Sequence, residues 1–280
     1  MNAHGADISK YQVITDWDAF MDSIDFLIIR TSDGDTYDRN LIDMIEQALL
    51  RPKPLSFYHY LRPGTYYDVI KQMKFIEYIT RGVRTLPLWA DCENTGSLSK
   101  TTLTSKIKDA VEALADRAGI APMIYTRASW WDYYLNRNSW AKDYKLVVAH
   151  YDVLNPTIPL DWLNYGKTYT KWQKTENGVL PGIQNSVDLV DYNGDLAHFY
   201  NEFYGVPLPE PLPQAKVLID GLRVRDAHNT SANILRYLNT NDVVDIYEVW
   251  SDANSTWYRI SELQEWSAKI YYGNVYMQDL

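Results

Sequence analysis

Short apolar runs rich in β-formers recur along the first two thirds of the chain, and segments with helical spacing or turn chemistry separate them. The runs are Ala6–Ser9, Phe26–Arg30, Leu55–Tyr60, Leu86–Ala90, Pro122–Thr126, Leu146–His150, Tyr169–Gln173 and Val187–Val190. Strand-length runs alternating with helix-length connections read as a parallel sheet joined by crossovers. Eight such strands fit a closed β/α barrel.

Between the runs, Leu103, Ile107, Val111, Leu114 and Ala115 give one apolar helical face, and Gly119 closes it. Leu41, Ile45, Ala48 and Leu49 give another. The connections around Asn155 to Tyr165 and Asn177 to Ser186 hold too much Pro, Gly and Asn for full helices. The second half of the barrel is therefore expected to be irregular.

From Pro207 to Pro213 every second residue is proline, which blocks helix and sheet alike and predicts an extended spacer of ~3.1 Å per residue. Beyond it come short alternating stretches: Val217–Ile219, Leu222–Arg225, Ile234–Leu238, Val243–Val249, Trp257–Ile260 and Lys269–Tyr272. Tight polar turns between them predict a small all-β barrel. The expected organisation is a catalytic-sized barrel over 1–205, a linker over 206–214 and a β unit over 215–280.

A chain of 280 residues that is 46% hydrophobic and 22% charged can bury a large core. Its net charge of -9 argues against a nucleic-acid surface, which needs a basic patch. No apolar run approaches the ~18 residues of a membrane span, and the single Cys92 excludes an intrachain disulfide. The 10 Trp and 23 Tyr exceed what such a core needs, and rings with polar tips suit surfaces that stack on sugars.

The fourth run ends in Asp91-Cys-Glu93, followed by Asn-Thr-Gly96. Side chains alternate along a strand, so the two carboxylates point to one side with Cα atoms roughly 6.6 Å apart. That spacing lets two carboxyl groups flank one acetal bond; it is also found where an acidic pair simply closes a solvated turn. Working residues of barrels sit at the C-terminal strand ends. Asp7 lies on the first strand and Asp188 on the eighth, and these strands are neighbours in a closed barrel. Four carboxylates can then converge on one mouth.

With these residues in hand, the first 204 or so positions resemble the family 25 glycoside hydrolases. The matching segments are Asp7-Ile-Ser-Lys-Tyr-Gln12, Asp16-Trp17, Phe26 to Gly34, Tyr58-His-Tyr-Leu-Arg-Pro63, Asp91-Cys-Glu93, Ile124-Tyr125, Trp172-Gln173, Pro181-Gly182 and Val187-Asp-Leu189. The resemblance implies cleavage of bacterial peptidoglycan between N-acetylmuramic acid and N-acetylglucosamine, with retention and with no cofactor or metal. It maps the proton donor to Glu93, its companion to Asp91, and two further acidic positions to Asp7 and Asp188. Direct attack by a carboxylate and attack by the substrate's own acetamido group both fit the pattern.

Sugar-contacting rim aromatics map to Tyr58, Tyr125, Tyr151 and Trp172, with core packing as the other reading for each. Trp17, Trp89, Trp130 and Trp131 read as packing, and His59 and His150 as core groups, because no zinc spacing is present. The tail resembles bacterial SH3-like wall-binding domains in Leu222-Arg-Val-Arg-Asp226, the run from Asn241 and Trp257-Tyr-Arg-Ile260. It departs from them at Ala227-His228, where Gly-Pro is usual, and at Asn274, where Trp is usual.

The N-terminal residues lack the basic and apolar regions of a signal peptide. A lysozyme joined to a wall-binding domain, without that signal, resembles a bacteriophage endolysin. It would be made in the host cytoplasm and reach the wall through a holin. Competing readings are a non-catalytic wall lectin, a chitinase-like barrel, which usually carries further aspartates where Leu86, Leu88 and Ala90 stand here, and a carboxylate cluster for Mg²⁺ or Ca²⁺.

Overall fold

A computed structural model describes residues 2–51, 53–64, 68–205, 213–261 and 265–280. The chain divides into two compact units, Met1–Leu208 and Pro209–Leu280. Most of the expected spacer, 206–212, lies outside the described residues.

The strands of the first unit are β1 (His4–Ile8), β2 (Phe26–Asp33), β3 (Thr36–Tyr37), β4 (Leu55–Tyr60), β5 (Trp89–Asp91), β6 (Met123–Thr126), β7 (Lys145–Ala149), β8 (Lys171–Gly178) and β9 (Val187–Tyr192). Leaving aside the short β3, they form a closed barrel: β1 pairs with β2 on one side and with β9 on the other. From β1 to β8 every neighbouring pair in the barrel is parallel. The eighth barrel strand, β9, runs antiparallel to both β8 and β1.

That corrects the all-parallel expectation. A strand can return antiparallel through a short turn, whereas a parallel return needs a crossover of a dozen or more residues. Only residues 179–186 separate β8 from β9, too few for a crossover. The irregularity expected for the later connections is present too, since the only α-helix between β7 and β8 is α6 (Leu160–Leu163), numbered after α1 (Trp17–Asp22), α2 (Leu41–Leu49), α3 (Val69–Thr80), α4 (Lys100–Ala118) and α5 (Ala128–Tyr134).

Strand alternation divides the apolar residues into two cores. Leu27 and Ile29 face outward and pack with the helices, among them Leu103, Ile107, Val111 and Leu114 of α4. Helix α4 begins at a Ser99 cap and ends at Gly119, whose φ of 67° lies in the left-handed region. In α2 the buried face is Leu41, Met44, Ile45 and Ala48, and Leu49, expected on that face, is instead 55% exposed.

Phe26 and Ile28 face inward with Trp89, Met123, Tyr125, Val147 and Val190. The final helix of this unit, α7 (Leu196–Tyr204), closes the barrel end opposite the C-terminal strand ends, with Phe199 stacked on Phe26 at 5.1 Å. Gly5 is required beside that stack: a Cβ there would lie 2.2 Å from the Phe26 ring.

The second unit is all-β. One sheet joins β10 (Gln214–Val217) to β13 (Val243–Asp245) and β18 (Met277–Asp279). The other runs β12 (Ile234–Leu238), β11 (Leu222–Arg225), β16 (Trp266–Tyr271), β15 (Ser255–Arg259) and β14 (Glu248–Ser251), with β17 (Asn274–Val275) on β16. The expected strand Val243–Val249 is two strands, broken at the buried Ile246. The first strand starts at Gln214, inside the range expected for the linker.

Candidate active site

The barrel mouth holds a cavity of about 310 Å³ lined by all four expected carboxylates, Asp7, Asp91, Glu93 and Asp188. Asp7 is the penultimate residue of β1 and Asp91 the last of β5, and Glu93 follows two residues on. Asp188 reaches the same mouth from the start of β9, because that strand runs the other way. Asn94 Oδ1 accepts from the Gly96 amide at 2.9 Å, which turns the chain immediately after Glu93 and directs the following loop onto Gly64. No Cβ fits at Gly96, where it would meet the Gly64 nitrogen at 2.5 Å.

Asp7 and Asp91 are buried and Glu93 and Asp188 half-buried. All four carboxyls are held above the usual carboxylate range, and the leading cause for each is burial, which penalises the charged form. Asp188 adds to the effect at Asp7, and Glu93 and Asp7 add to it at Asp91. At Glu93 the Arg127 guanidinium works in the opposite direction. Asp91 Oδ1 and Trp89 Nε1 are buried on the same strand without a protein hydrogen-bond partner among the described residues.

Tyr58, Tyr125 and Tyr151 line the cavity as expected. Trp172 does not. Its ring packs against the outer core and its Nε1 donates to the His150 carbonyl at 2.8 Å. Inward positions on β8 belong to its neighbours Lys171 and Gln173, so alternation turns Trp172 away from the mouth. Trp89, assigned to packing from the sequence, is buried but also forms part of the cavity wall.

Gln173 takes the place expected of Trp172 at the mouth. Its Oε1 accepts from the Tyr125 hydroxyl at 2.7 Å and the Tyr151 hydroxyl at 2.6 Å, and its Nε2 donates to Asp7 Oδ2 at 2.6 Å. Arg30 also lines the cavity, held by Asp38 at 3.0 Å, and Arg127 stands over the Tyr151 ring at 4.7 Å and 4.0 Å from Glu176. Sequence reading missed Gln173, Arg30, Arg127 and Glu176. The available signal was a polar residue at the C-terminal end of an apolar run, present at Arg30 and Gln173.

His59 is a core group, bonded to Ser32 at 2.8 Å and Gln72 at 2.8 Å. Burial pushes its pKa down to about 4. Among the described residues no cluster of three or more His, Cys, Asp or Glu is arranged to hold a metal ion, and no helix is long and apolar enough to cross a membrane.

The family model described as glycosyl hydrolases family 25 matches residues 6–183. The chain belongs to that family. Lysozyme M1 of Streptomyces globisporus is 27% identical over 209 residues, covering 69% of this chain and 68% of the relative. The N,O-diacetylmuramidase of Chalaropsis sp. is 28% identical over 205 residues, covering 66% of this chain and 93% of the relative. Among solved structures, the bacterial lysozyme from Streptomyces coelicolor superposes with a TM-score of 0.65 at 25% identity, covering 73% of this chain and 98% of that one. This family 25 barrel is thus a glycoside hydrolase, and its acidic mouth is where such chemistry can occur.

Proposed function

We propose that this family 25 enzyme is a muramidase, hydrolysing the β-1,4 bond between N-acetylmuramic acid and N-acetylglucosamine in bacterial peptidoglycan with retention. The observation that carries the reading is the half-buried Glu93, its pKa raised by burial, beside Asp91 at the mouth of a barrel related to lysozymes. A proton donor for a glycosidic oxygen must keep its proton near neutral pH and release it as the bond breaks, and a raised pKa serves that need.

Glu93 gives its proton to the leaving sugar oxygen. The buried carboxylates below it stabilise the positive charge that develops at the anomeric carbon. Retention requires two displacements: a carboxylate or the substrate's own acetamido oxygen bonds to the anomeric carbon as the protonated sugar leaves, and water then displaces that group while the ionised Glu93 takes the water's proton and returns to its starting state.

Replacing Glu93 with Gln removes the proton and keeps the shape. The expected outcome is loss of wall lysis by roughly 10²–10⁴-fold with an unchanged circular dichroism spectrum. Near wild-type lysis by a folded variant sinks the assignment. Mass spectrometry of the products should find muramic acid at the new reducing end, and proton NMR should show the β-anomer first.

The second unit is read as an SH3-like wall-binding module, on the support of its two small antiparallel sheets and the Leu222-Arg-Val-Arg-Asp226 segment. It would raise the effective substrate concentration without touching the scissile bond. Full-length protein should sediment with purified walls, and a chain ending at 205 should sediment less while still cleaving soluble fragments. Equal sedimentation removes the targeting role. The pairing of the two units further supports an endolysin role, for which lysis of an expressing host should require a co-expressed holin.

A further inference from the structure

A second cavity of about 410 Å³ lies beside the catalytic mouth, and the two share Arg127 and Tyr151 as walls. Its lining is far poorer in carboxylates than that of the mouth. Ser129, His150 and Thr157 contribute to the lining. His150 Nδ1 faces the Thr157 backbone amide at 3.0 Å. An amide N–H only donates, so Nδ1 is the acceptor and the imidazole proton sits on Nε2 as a donor.

Asp132, the one carboxylate in the lining among the described residues, is already engaged by Arg137 at 2.6 Å and by the Leu160 amide at 3.1 Å. The cavity therefore offers a guanidinium, an imidazole N–H and two hydroxyls. The mouth beside it offers five carboxyl groups, the four and Glu176, against the single further guanidinium of Arg30, which Asp38 already engages. An uncharged sugar ring can occupy the acidic mouth, whereas an acceptor-rich or anionic substituent on that ring is repelled from the mouth and satisfied in the side cavity.

Building on the muramidase reading, we propose that the side cavity is the binding site for the lactyl-peptide branch on the 3-oxygen of the muramic acid being cleaved. Arg127, at the junction of the two cavities, meets the branch where it leaves the ring. The peptide carbonyls and free carboxylate of the branch take the hydrogen bonds of the imidazole and the hydroxyls. The cavity then acts as a specificity element, separating stem-bearing glycan from glycan that has lost its peptides.

Ser129 and Thr157 are exposed, so a large side chain at either should fill the cavity without disturbing the barrel core. The test measures kcat/KM of the full-length protein and of Ser129→Phe and Thr157→Trp on two glycan tetrasaccharides, one with peptide stems and one stripped of them by an amidase. The wild type should favour the stem-bearing substrate. In both variants the ratio of the two kcat/KM values should fall at least ten-fold, mainly through KM for the stem-bearing substrate. An unchanged ratio in folded variants, or a wild-type preference for the stripped glycan, overturns the branch site and leaves the muramidase reading intact. Failure of the wild type to cleave either substrate overturns the muramidase reading, and the branch site with it.

Discussion

Asp7 and Asp188 are register partners across the antiparallel pair β1 and β9, and a hydrogen bond joins their carboxyls. Burial raises the pKa of both carboxyls, and the neighbouring Asp188 charge raises that of Asp7 further. Gln173 Nε2 donates to the other Asp7 oxygen.

An Asn at position 7 keeps both contacts, with an NH₂ for Asp188 and an oxygen for Gln173. Asp7→Asn should therefore keep its melting temperature and lose less activity than Asp188→Asn, which removes the charge of the pair. Asp7→Leu should destabilise by ~1–3 kcal/mol for each buried polar group left without its partner. Thermal melts and lysis rates of the three variants check the order, and greater loss in Asp7→Asn than in Asp188→Asn contradicts it.

Asp91→Asn should exchange activity for stability. The Asp91 carboxyl is held well above its ordinary range by burial, by Glu93 and by Asp7. The folded state then binds the proton more tightly than the unfolded state, so wild-type stability increases as pH falls through the folded pKa towards ~3.9. The Asn variant does not carry that cost. Its advantage, about 0.5–2 kcal/mol at pH 7, should shrink on acidification, and urea unfolding at several pH values measures it. A gain that grows at low pH refutes the account.

Gln173→Leu should reduce kcat more than it raises KM. The variant frees the Tyr125 and Tyr151 hydroxyls and removes the donor that orients Asp7, yet leaves most of the sugar-contacting surface. Loss of one such buried bond costs about 1–3 kcal/mol, or roughly five- to 160-fold in rate if the whole cost falls on the transition state. A pure KM effect would make Gln173 a substrate contact instead.

Lys171→Met should stabilise the barrel around neutral pH. Lys171 is fully buried at the start of β8, with its Nζ over the rings of Phe203 at 4.2 Å, Phe26 at 5.1 Å and Phe199 at 5.4 Å. Burial pushes its pKa down to about 7. Between that value and the unfolded ~10.4 the unfolded chain binds one more proton, so wild-type stability rises with pH across this window. The gain from Met should be largest below pH 7 and fade towards pH 10, as denaturation curves at each pH can show. A gain independent of pH removes Lys171 as its cause.

The amino-acid sequence by itself determined the eight barrel strands, the helical faces that cover them, the irregular second half, the β-rich tail and the four acidic positions. These features are local: a two- or 3.6-residue period, a proline, or a carboxylate pair two residues apart acts through nearest neighbours. Only the tertiary structure decided the direction of β9, the outward facing of Trp172 and the convergence of Gln173, Arg30 and Arg127 on the mouth. Strand direction follows from how a connection of eight residues can return to the sheet. Alternation says that Trp172 and Gln173 face opposite sides but not which of them faces inward, and that choice is made by the neighbouring strands. The raised pKa values of Glu93 and Asp91 belong to the same class, because they arise from burial among groups that lie far apart in the chain.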